Sequence, residues 1–484
     1  MRVFQLSVSA EGQPLYLRIA QAMRQSILDG RLLPGEATPS TRELARNLDT
    51  HRNTVIAAFS ELLAEGWITA EQRKSYRVSR ELPSDFSGHS GQAKRSAPAP
   101  VAAFKWQLVR ESWLEPIQPE QPVPYAFRWG FADPSLFPLR EFRSHMLDVL
   151  RKPKAALFDY GSPRGIPSLL AAIEEYLRRL RGIEGRSIFI TNGTGEALLL
   201  LSQLLLAPGD RVAMEDPGYP PARELFRVMG VKIDFVQVGA DGLDLGLFEK
   251  LAARRKIKLL FLTPLHQFPS TATMPMPKRM RLYEIASRHG VAIFEEDYDH
   301  EIHYLTQPLP PLASQDPEGR VLYAGTFSKI LFPSARVGFV AVPRELETPL
   351  IQLRRLSTHQ NEAVMQDALA RWMASGGVER HVRRMRRHYH GQRDALIAAL
   401  GAAQARGAKI DWRDPEGGMA LWLDTHRDSR TFAREALERG VLVAPEWVYR
   451  SNGKGTHVRL GFSTMTSDQL QLGIKALEPL FTRR

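Results

Sequence analysis

The sequence contains no cysteine in its 484 residues. Disulfides, thiolate metal sites and a cysteine nucleophile are therefore excluded, and a metal would need clustered histidines and carboxylates, which the sequence does not show at ligand spacing. No apolar run reaches the roughly 18 residues that span a bilayer, and the opening MRVFQLSVSAEGQP lacks the basic start and apolar core of a signal peptide. We expect a cytoplasmic protein with no metal centre and no membrane partner.

Negative charge is comparatively scarce. There are 65 Lys and Arg against 53 Asp and Glu, a formal net charge of +12. This excess favours a polyanionic partner, although charge alone does not separate nucleic acid from acidic lipid or acidic protein. The length exceeds what one hydrophobic core supports, so we expect more than one domain.

Residues 1–80 have the pattern of a small α+β winged helix-turn-helix domain. An apolar residue recurs every fourth position in the first helix, at Leu15, Ile19, Met23 and Ile27, and Asp29-Gly30 closes it. A second helix begins near Ser40 or Thr41, and a third covers HRNTVIAAFSELLAEG. WITAEQRKSYRV alternates around a turn, which predicts a hairpin, although its QRKSY tip has no glycine.

This order of elements predicts binding to double-stranded DNA, with a nucleoid-associated location. The start of a recognition helix reaches base edges in the major groove, while a wing meets phosphates. Residues 1–80 are only mildly basic, with eleven Lys and Arg against eight Asp and Glu. The candidate DNA-binding residues are Arg42, Arg52, Asn53, Thr54, Arg73 and Lys74, with Arg77 also in the hairpin.

The remainder of the chain divides into a linker and a large α/β domain. Residues 81–124 are rich in Gly, Ser and Ala and later in Pro, which is typical of a linker. Over residues 125–484, short apolar segments such as SIFITNG, RVAMED, VAIFEED and VLYAGTF alternate with amphipathic segments. This alternation predicts a largely parallel, buried sheet flanked by helices.

One lysine at the end of a predicted strand has the setting of a cofactor site. In GTFSKILFPSARVGFV, Thr326 and Ser328 lie just before Lys329, and Arg336 follows seven residues after it. A lysine at a strand end can form a Schiff base with an aldehyde cofactor. An arginine can donate two hydrogen bonds to one phosphate.

A second segment predicts a phosphate cradle. TNGTGEALLLL places Gly193, Thr194 and Gly195 at the turn from a strand into a helix. Glycines permit close approach to the backbone amides at a helix N-terminus, which attract anions.

These motifs resemble those of the fold type I aminotransferases. Together with the N-terminal domain, the chain resembles the MocR/GabR family of GntR-type transcriptional regulators over nearly its full length. The resemblance implies that pyridoxal 5'-phosphate (PLP) is bound by Lys329, and that the cofactor phosphate is held by Arg336, Ser328, Thr326, Thr194 and Gly195. It further implies a homodimer.

The resemblance also implies roles for five other residues. Tyr219 would stack on the cofactor ring, Tyr298 would contact the ring hydroxyl, and Tyr160 would reach the phosphate of the neighbouring subunit. Glu296 matches the family's aspartate that pairs with the pyridine nitrogen, a pairing that stabilises the ring's positive charge. Arg459 matches the residue that grips an α-carboxylate, so a carboxylate-bearing amine is implied as effector.

The sequence departs from the family pattern in two places. Glutamate replaces aspartate at Glu296, which leaves Asp297 as an alternative partner for the pyridine nitrogen. Phe268-Pro269-Ser270-Thr271 replaces the Asn-Pro-x-Gly that is typical of aminotransferases. We interpret the nearby His266 as a structural histidine rather than a metal ligand or general base.

Three hypotheses follow. The first is a regulator that senses PLP or an amine through its aminotransferase-like domain, with at most residual transaminase activity. The second is a working PLP-dependent aminotransferase with an accessory head, and the third is a regulator whose large domain is a cofactor-free dimerisation scaffold. The head and linker favour the first over the second, and the intact Lys329, Arg336 and Arg459 disfavour the third.

A second basic segment lies far from the head. ERHVRRMRRHYHGQRD has six arginines between Arg380 and Arg393. Such runs are usually solvated helix faces. Contact with DNA that flanks or separates the half-sites is the alternative hypothesis.

Overall fold

The computed structural model forms two compact units, Met1–Val109 and Arg110–Arg484. Among its described residues no helix is both long and apolar enough to cross a membrane. The described residues are 6, 8, 13–71, 75–83, 122–127, 130–151, 155–304 and 309–482. Most of the predicted linker, residues 84–121, therefore lies outside the described residues, and the domain boundaries 1–80, 81–124 and 125–484 stay predictions.

The first unit has the predicted order of three helices and a hairpin. Its elements are α1 (Leu15–Leu28), α2 (Thr41–Asn47), α3 (Arg52–Ala64), β1 (Ile68–Glu71) and β2 (Ser75–Val78). Ser40 caps α2, because its hydroxyl accepts a hydrogen bond from the Glu43 amide at 3.1 Å. The apolar faces of the helices meet in one core that includes Met23, Phe59 and Trp67.

The second unit contains fourteen further strands and eleven helices in its described residues. The strands are β3 (Tyr125–Ala126), β4 (Ser187–Thr191), β5 (Arg211–Asp216), β6 (Lys232–Gly239), β7 (Gly242–Leu243), β8 (Ile257–Leu262), β9 (Ala292–Asp297), β10 (Val321–Thr326), β11 (Gly338–Val342), β12 (Asp411–Trp412), β13 (Ala420–Asp424), β14 (Val441–Leu442), β15 (Ala444–Pro445) and β16 (His457–Gly461). The helices are α4 (Leu139–Arg151), α5 (Pro167–Arg181), α6 (Thr194–Leu205), α7 (Pro220–Val228), α8 (Leu245–Arg254), α9 (Met276–Arg288), α10 (Glu347–Leu356), α11 (Ala363–Ala374), α12 (Gly377–Ala405), α13 (Ser429–Glu438) and α14 (Ser467–Phe481).

An eight-stranded sheet dominates this unit, in the order β4-β11-β10-β9-β8-β5-β6-β7. Strands β11 and β7 are antiparallel to their neighbours, and the others run parallel. The predicted α/β fold is confirmed, with a mixed sheet rather than a purely parallel one. The carboxyl ends of the parallel strands form one edge of the sheet, and this edge carries the turns after β4, β9 and β10. Ligands of open α/β sheets bind at such an edge.

A smaller antiparallel sheet, β12-β13-β16-β15, has its own core. In its register Trp422 lies opposite Arg459, and Ala444 lies on the other side of Arg459. Directly paired residues share one face of an antiparallel sheet. Strand β3, which follows the predicted linker, pairs in parallel with β14.

Candidate functional site

A tight cradle forms where α6 begins. Gly193 precedes α6 with a φ of +85°, and a Cβ at this position would lie 2.9 Å from the Arg336 guanidinium. A Cβ on Gly338 would lie 2.7 Å from the Gly193 Cα. Gly338 is in turn paired with Thr326, the last residue of β10. Glycine at both positions therefore brings Arg336 and the end of β10 against the N-terminus of α6, where free amides can bind an anion.

The two hydroxyls that were predicted for this cradle lie beside each other. The Thr326 hydroxyl donates to the Ser328 Oγ at 3.0 Å, and the Ser328 amide donates to the Thr326 Oγ1 at 3.1 Å. The Arg336 side chain is exposed and donates to the Asn192 carbonyl. The structure thus brings together Arg336, Thr326 and the first turn of α6.

Lys329 lies just beyond β10 and is half-buried. Its Nζ donates to the Gly130 carbonyl at 3.0 Å and lies 5.3 Å from the centre of the Phe131 ring. Burial lowers the pKa of the Lys329 amine to about 8, although the charge of Asp299 acts in the opposite direction. A lowered pKa increases the uncharged, nucleophilic fraction of the amine at neutral pH.

Glu296 and Asp297 have different partners. The Glu296 carboxyl accepts from the Thr194 hydroxyl at 2.6 Å, and burial raises its pKa to about 7. Asp297 accepts from the buried Arg181 and from the Tyr323 hydroxyl. Burial alone would raise the pKa of Asp297, but the Arg181 charge outweighs it and holds the pKa at about 2. Glu296 therefore faces α6, while Asp297 belongs to a buried ion pair.

The Thr194 hydroxyl already has a partner, the Glu296 carboxyl group. The backbone amides of Thr194 and Gly195, in the first turn of α6, are the groups left to bind an anion there.

Arg459 is buried on the face of the small sheet that carries Trp422. Its guanidinium donates to the Pro269 carbonyl and lies 4.7 Å from the centre of the Phe268 ring, while its Nε has no hydrogen-bond partner among the described residues. A Cβ on Gly130 would lie 3.6 Å from the Arg459 Nη2. The Gly130 carbonyl also accepts the hydrogen bond from the Lys329 amine. Lys329 and Arg459 therefore meet around one backbone segment.

Aromatic side chains occupy the space around Phe268. The rings of Tyr219 and Tyr298 lie edge-on to Phe268, with centres 5.3 Å and 6.1 Å away. The Tyr298 hydroxyl donates to the His266 carbonyl at 2.9 Å, and burial raises its pKa. Phe268 thus packs between these rings and the Arg459 guanidinium.

His266 is held in a buried pair. Its Nδ1 lies 2.7 Å from Asp299 Oδ1, and a Cβ on Gly417 would lie 2.2 Å from His266 Nε2. Such close enclosure agrees with a structural histidine. The described residues contain no group of three or more histidines and carboxylates that could hold a metal ion.

Tyr160 lies at the surface of this unit. Its side chain is 83% exposed and lies edge-on to His359, with ring centres 5.0 Å apart. Phe158 and Leu356 are 63% and 86% exposed. Three large apolar side chains are therefore left in contact with solvent.

Sequence reasoning missed three residues of the site. Gly130 is 199 positions from Lys329, and Asp299 acts on Lys329 only through the fold. Gln267 fixes the loop that carries Phe268, since its amide donates to the Pro217 and Phe268 carbonyls and accepts from Ser270. The run of acidic residues at the end of β9, in FEEDYDHEIHY, could have indicated Asp299. No local pattern marks Gly130.

Three of the candidate DNA-binding residues, Arg52, Asn53 and Thr54, lie at the start of α3, and Arg42 lies at the start of α2. Arg42, Arg52 and Asn53 are exposed and Thr54 is half-buried. The Arg52 Nε donates weakly to the Thr41 hydroxyl at 3.4 Å. Arg73 and Lys74 lie outside the described residues. In the hairpin, Arg77 is held by Glu71 at 2.8 Å and by the Gly35 carbonyl at 3.0 Å, so its side chain is not free.

Glu215, a buried glutamate in β5 of the second unit, predicts a stability that depends on pH. Burial raises the pKa of Glu215 from 4.5 to about 7, despite hydrogen bonds from the Thr263 hydroxyl and amide to one carboxylate oxygen. From pH 4.5 to about 7 the folded chain keeps a proton that the unfolded chain has released. The free energy of unfolding therefore falls as pH rises through this window, by about 1.4 kcal/mol per pH unit for this group at most.

We expect Glu215→Gln to remove this contribution, because the second carboxylate oxygen has no hydrogen-bond donor among the described residues and can become an amide nitrogen. When the free energy of unfolding is measured by urea denaturation across this pH window, it should fall less steeply with pH in the variant, by about 1 kcal/mol per pH unit. Glu295→Gln is the comparison, because burial raises the pKa of Glu295 to about 7 as well. It should flatten the pH dependence in the same way, but both of its oxygens accept backbone amides, from Leu312 and Ala313, so this change should also destabilise at every pH. An unchanged slope for Glu215→Gln contradicts the prediction.

Comparison with known proteins matches both units to described families. Residues 129–477 match the model "Aminotransferase class I and II", and residues 15–78 match "Bacterial regulatory proteins, gntR family". The chain is 30% identical to "Probable rhizopine catabolism regulatory protein MocR" of Rhizobium meliloti, over 97% of this chain and 94% of that protein. It is also 30% identical to "HTH-type transcriptional regulator TauR" of Rhodobacter capsulatus, over 97% of each.

The second unit is also similar to solved aminotransferases. The kynurenine aminotransferase of Pyrococcus horikoshii, solved with PMP, superposes with a TM-score of 0.71 at 27% identity, over 75% of this chain and 91% of that one. The similarity covers the region that carries the cradle and Lys329.

Proposed function

Since this chain belongs to the MocR/GabR family of GntR-type transcriptional regulators, with a fold type I aminotransferase-like domain, we propose that the large domain binds PLP on Lys329 and senses PLP or a carboxylate-bearing amine. Binding at the large domain would change the affinity of the N-terminal head for DNA. Our proposal places the protein in the cytoplasm with the DNA that it reads.

The observation that carries this proposal is the meeting of Lys329 and Arg459 around Gly130. An amine nucleophile with a lowered pKa lies beside a buried guanidinium whose Nε has no partner among the described residues. The first can join an aldehyde, and the second can bind a carboxylate through two parallel hydrogen bonds. A cofactor-free scaffold would need neither group.

The residues present fit PLP. The α6 amides and Arg336 would hold its phosphate, Glu296 would pair with its ring nitrogen, and the ring would lie against Tyr219. When bound, PLP supplies an aldehyde that condenses with amines and a ring that withdraws electrons. Phe268 and Tyr298 keep water from the Arg459 guanidinium, which strengthens its attraction for a carboxylate.

We propose that the protein acts as a homodimer in which Tyr160 completes the partner's phosphate site. Tyr160, Phe158 and Leu356 are highly exposed for large apolar residues, and such patches favour association. This surface is also linked to the cradle. Gln360 Oε1 accepts from the Gly161 amide, and Asn361 and Asn192 both donate to Glu196.

The test of this function is a spectroscopic titration. Purified protein mixed with PLP should develop a visible absorption band, and borohydride followed by peptide mapping should find the label on Lys329. The standard amino acids are then added in turn, and the affinity for DNA is measured with and without each one that shifts the band. A label elsewhere, or no band at all, contradicts the PLP proposal; a band that no amine shifts contradicts the amine sensor.

A further inference from the structure

The long helix α12 presents a row of arginines opposite its buried side. Residues such as Val382, Met385 and Tyr389 pack inward. Arg380, Arg383 and Arg387 follow one another at intervals of three and four, which places them together on the outer side. With Arg386 at the border they form what we call the α12 arginine face, defined by Arg380, Arg383, Arg386 and Arg387.

These four side chains surround one open hollow of about 610 Å³. Among the residues that the structure describes, no other lines it. Arg380 is partly neutralised, because it donates to Glu141 at 2.6 Å. Among the described residues Arg386 donates to the Glu301 carbonyl, at 3.0 and 3.2 Å, and the negative charge of Glu301 also acts on it.

Arg383 and Arg387 are exposed and have no hydrogen-bond or ion-pair partner among the described residues. Like charges four positions apart on a helix destabilise it. The adjacent acids are already paired, Glu379 with Arg179 and Asp394 with Arg393. An ordinary solvated helix face intersperses both signs of charge. Here Arg380 has one acidic partner, Glu141, while Arg383 and Arg387 have none among the described residues. An anion from outside the chain would relieve the repulsion that remains.

We propose that the α12 arginine face binds the phosphate backbone of DNA outside the base pairs that the helix-turn-helix reads. The inference rests on DNA binding by the N-terminal head. Residues 1–80 account for only three of the twelve net positive charges, so most of the charge that can attract DNA lies elsewhere. The hollow is open, which suits a long polyanion better than a small enclosed anion.

The spacing of the face also fits DNA. Arg380 and Arg387 are seven residues apart, about 10 Å along the helix axis. Three base-pair steps of duplex DNA rise by about the same distance. Successive phosphates of one strand can therefore meet successive arginines, and guanidinium groups bind phosphate with two hydrogen bonds.

The test measures the salt dependence of DNA binding by the full chain, using fluorescence anisotropy with a labelled mixed-sequence duplex. Each lost phosphate contact lowers the slope of log K against log salt by about 0.9. The double variant Arg383→Ala/Arg387→Ala should therefore have a slope shallower by roughly 1.8 and a weaker affinity at low salt. Arg383→Lys/Arg387→Lys should keep most of the slope, since it keeps both charges.

The matched control is Arg434→Ala/Arg439→Ala, which removes from the region of α13 two exposed arginines that have no side-chain partner in the part of the chain that the structure describes. It should leave the slope unchanged. Arg52→Ala tests the head separately and should weaken binding to the duplex, because it removes a side chain from the start of the recognition helix. If the wild type binds and the α12 double variant behaves like the α13 control, the inference is wrong while DNA binding by the head stands.

Other occupants give distinct results. A change in sedimentation of the α12 variant, with an unchanged salt slope, would assign the face to contact between copies of this chain. Loss of binding to phosphatidylserine vesicles alone would assign it to lipid. Either result overturns the inference, and failure of the wild type to bind the duplex at low salt overturns both it and the function of the head.

Discussion

Replacing Lys329 by alanine is expected to abolish the covalent capture of PLP, so that borohydride leaves no label on the chain. The reason is that the Lys329 amine is the nucleophile at the site, and its lowered pKa keeps a fraction of it uncharged. The cradle at α6 and Arg336 is untouched by the change. PLP should still bind without covalent attachment, with an affinity weaker by roughly tenfold or more.

Peptide mapping and a PLP titration followed by fluorescence check this result. Lys475→Ala, which removes an exposed lysine from α14, is the control and should leave the visible band intact. DNA binding in the absence of added PLP should be the same for both variants and the wild type. Persistence of a borohydride label in Lys329→Ala would show that another lysine holds the cofactor.

Replacing Arg459 by glutamine is expected to raise the Kd for a carboxylate-bearing amine by at least about 30-fold, equivalent to about 2 kcal/mol. The Arg459 guanidinium is buried beside Phe268, and removing a buried charged partner leaves the carboxylate without compensation. Arg459→Lys should give an intermediate loss, because an ammonium group keeps the charge but not the two parallel donors.

The measurement is the shift of the visible band with each active amino acid and with its decarboxylated amine. Decarboxylated amines should bind the wild type and the Arg459 variants equally, because they lack the group that Arg459 recognises. Covalent capture of PLP on Lys329 should persist in both variants. Equal loss of affinity for both members of a pair would mean that Arg459 supports the fold of the site rather than the carboxylate.

Local patterns predicted most of the fold. Apolar segments of strand length were enough for β4, β5, β9 and β10, since parallel strands buried on both faces are continuous apolar runs. The capping hydroxyl of Ser40 and the glycine at Gly193 were also visible, because caps and left-handed turns depend on a few adjacent residues. The antiparallel insertion of β11 between β4 and β10 depends on long-range pairing, so it could not be predicted.

The site was only partly predictable. Lys329, Arg336 and Arg459 were found through motifs, but the meeting of Lys329 and Arg459 around Gly130 depends on a segment 199 residues before Lys329. The choice between Glu296 and Asp297 was left open. In the structure Arg181 engages Asp297, and Thr194 engages Glu296. A buried arginine far along the chain carries no local signal for such pairing.

The two glycines of the cradle constrain this sequence in unequal ways as it changes over generations. A side chain at Gly193 would be strained by the positive φ and would meet the far end of the Arg336 side chain, whereas one at Gly338 would meet main-chain atoms of Gly193. A change at the first position would disturb the cradle before the rest of the domain, because the tip of a side chain can move aside. A change at the second would force two backbone segments apart and is expected to disturb the fold itself.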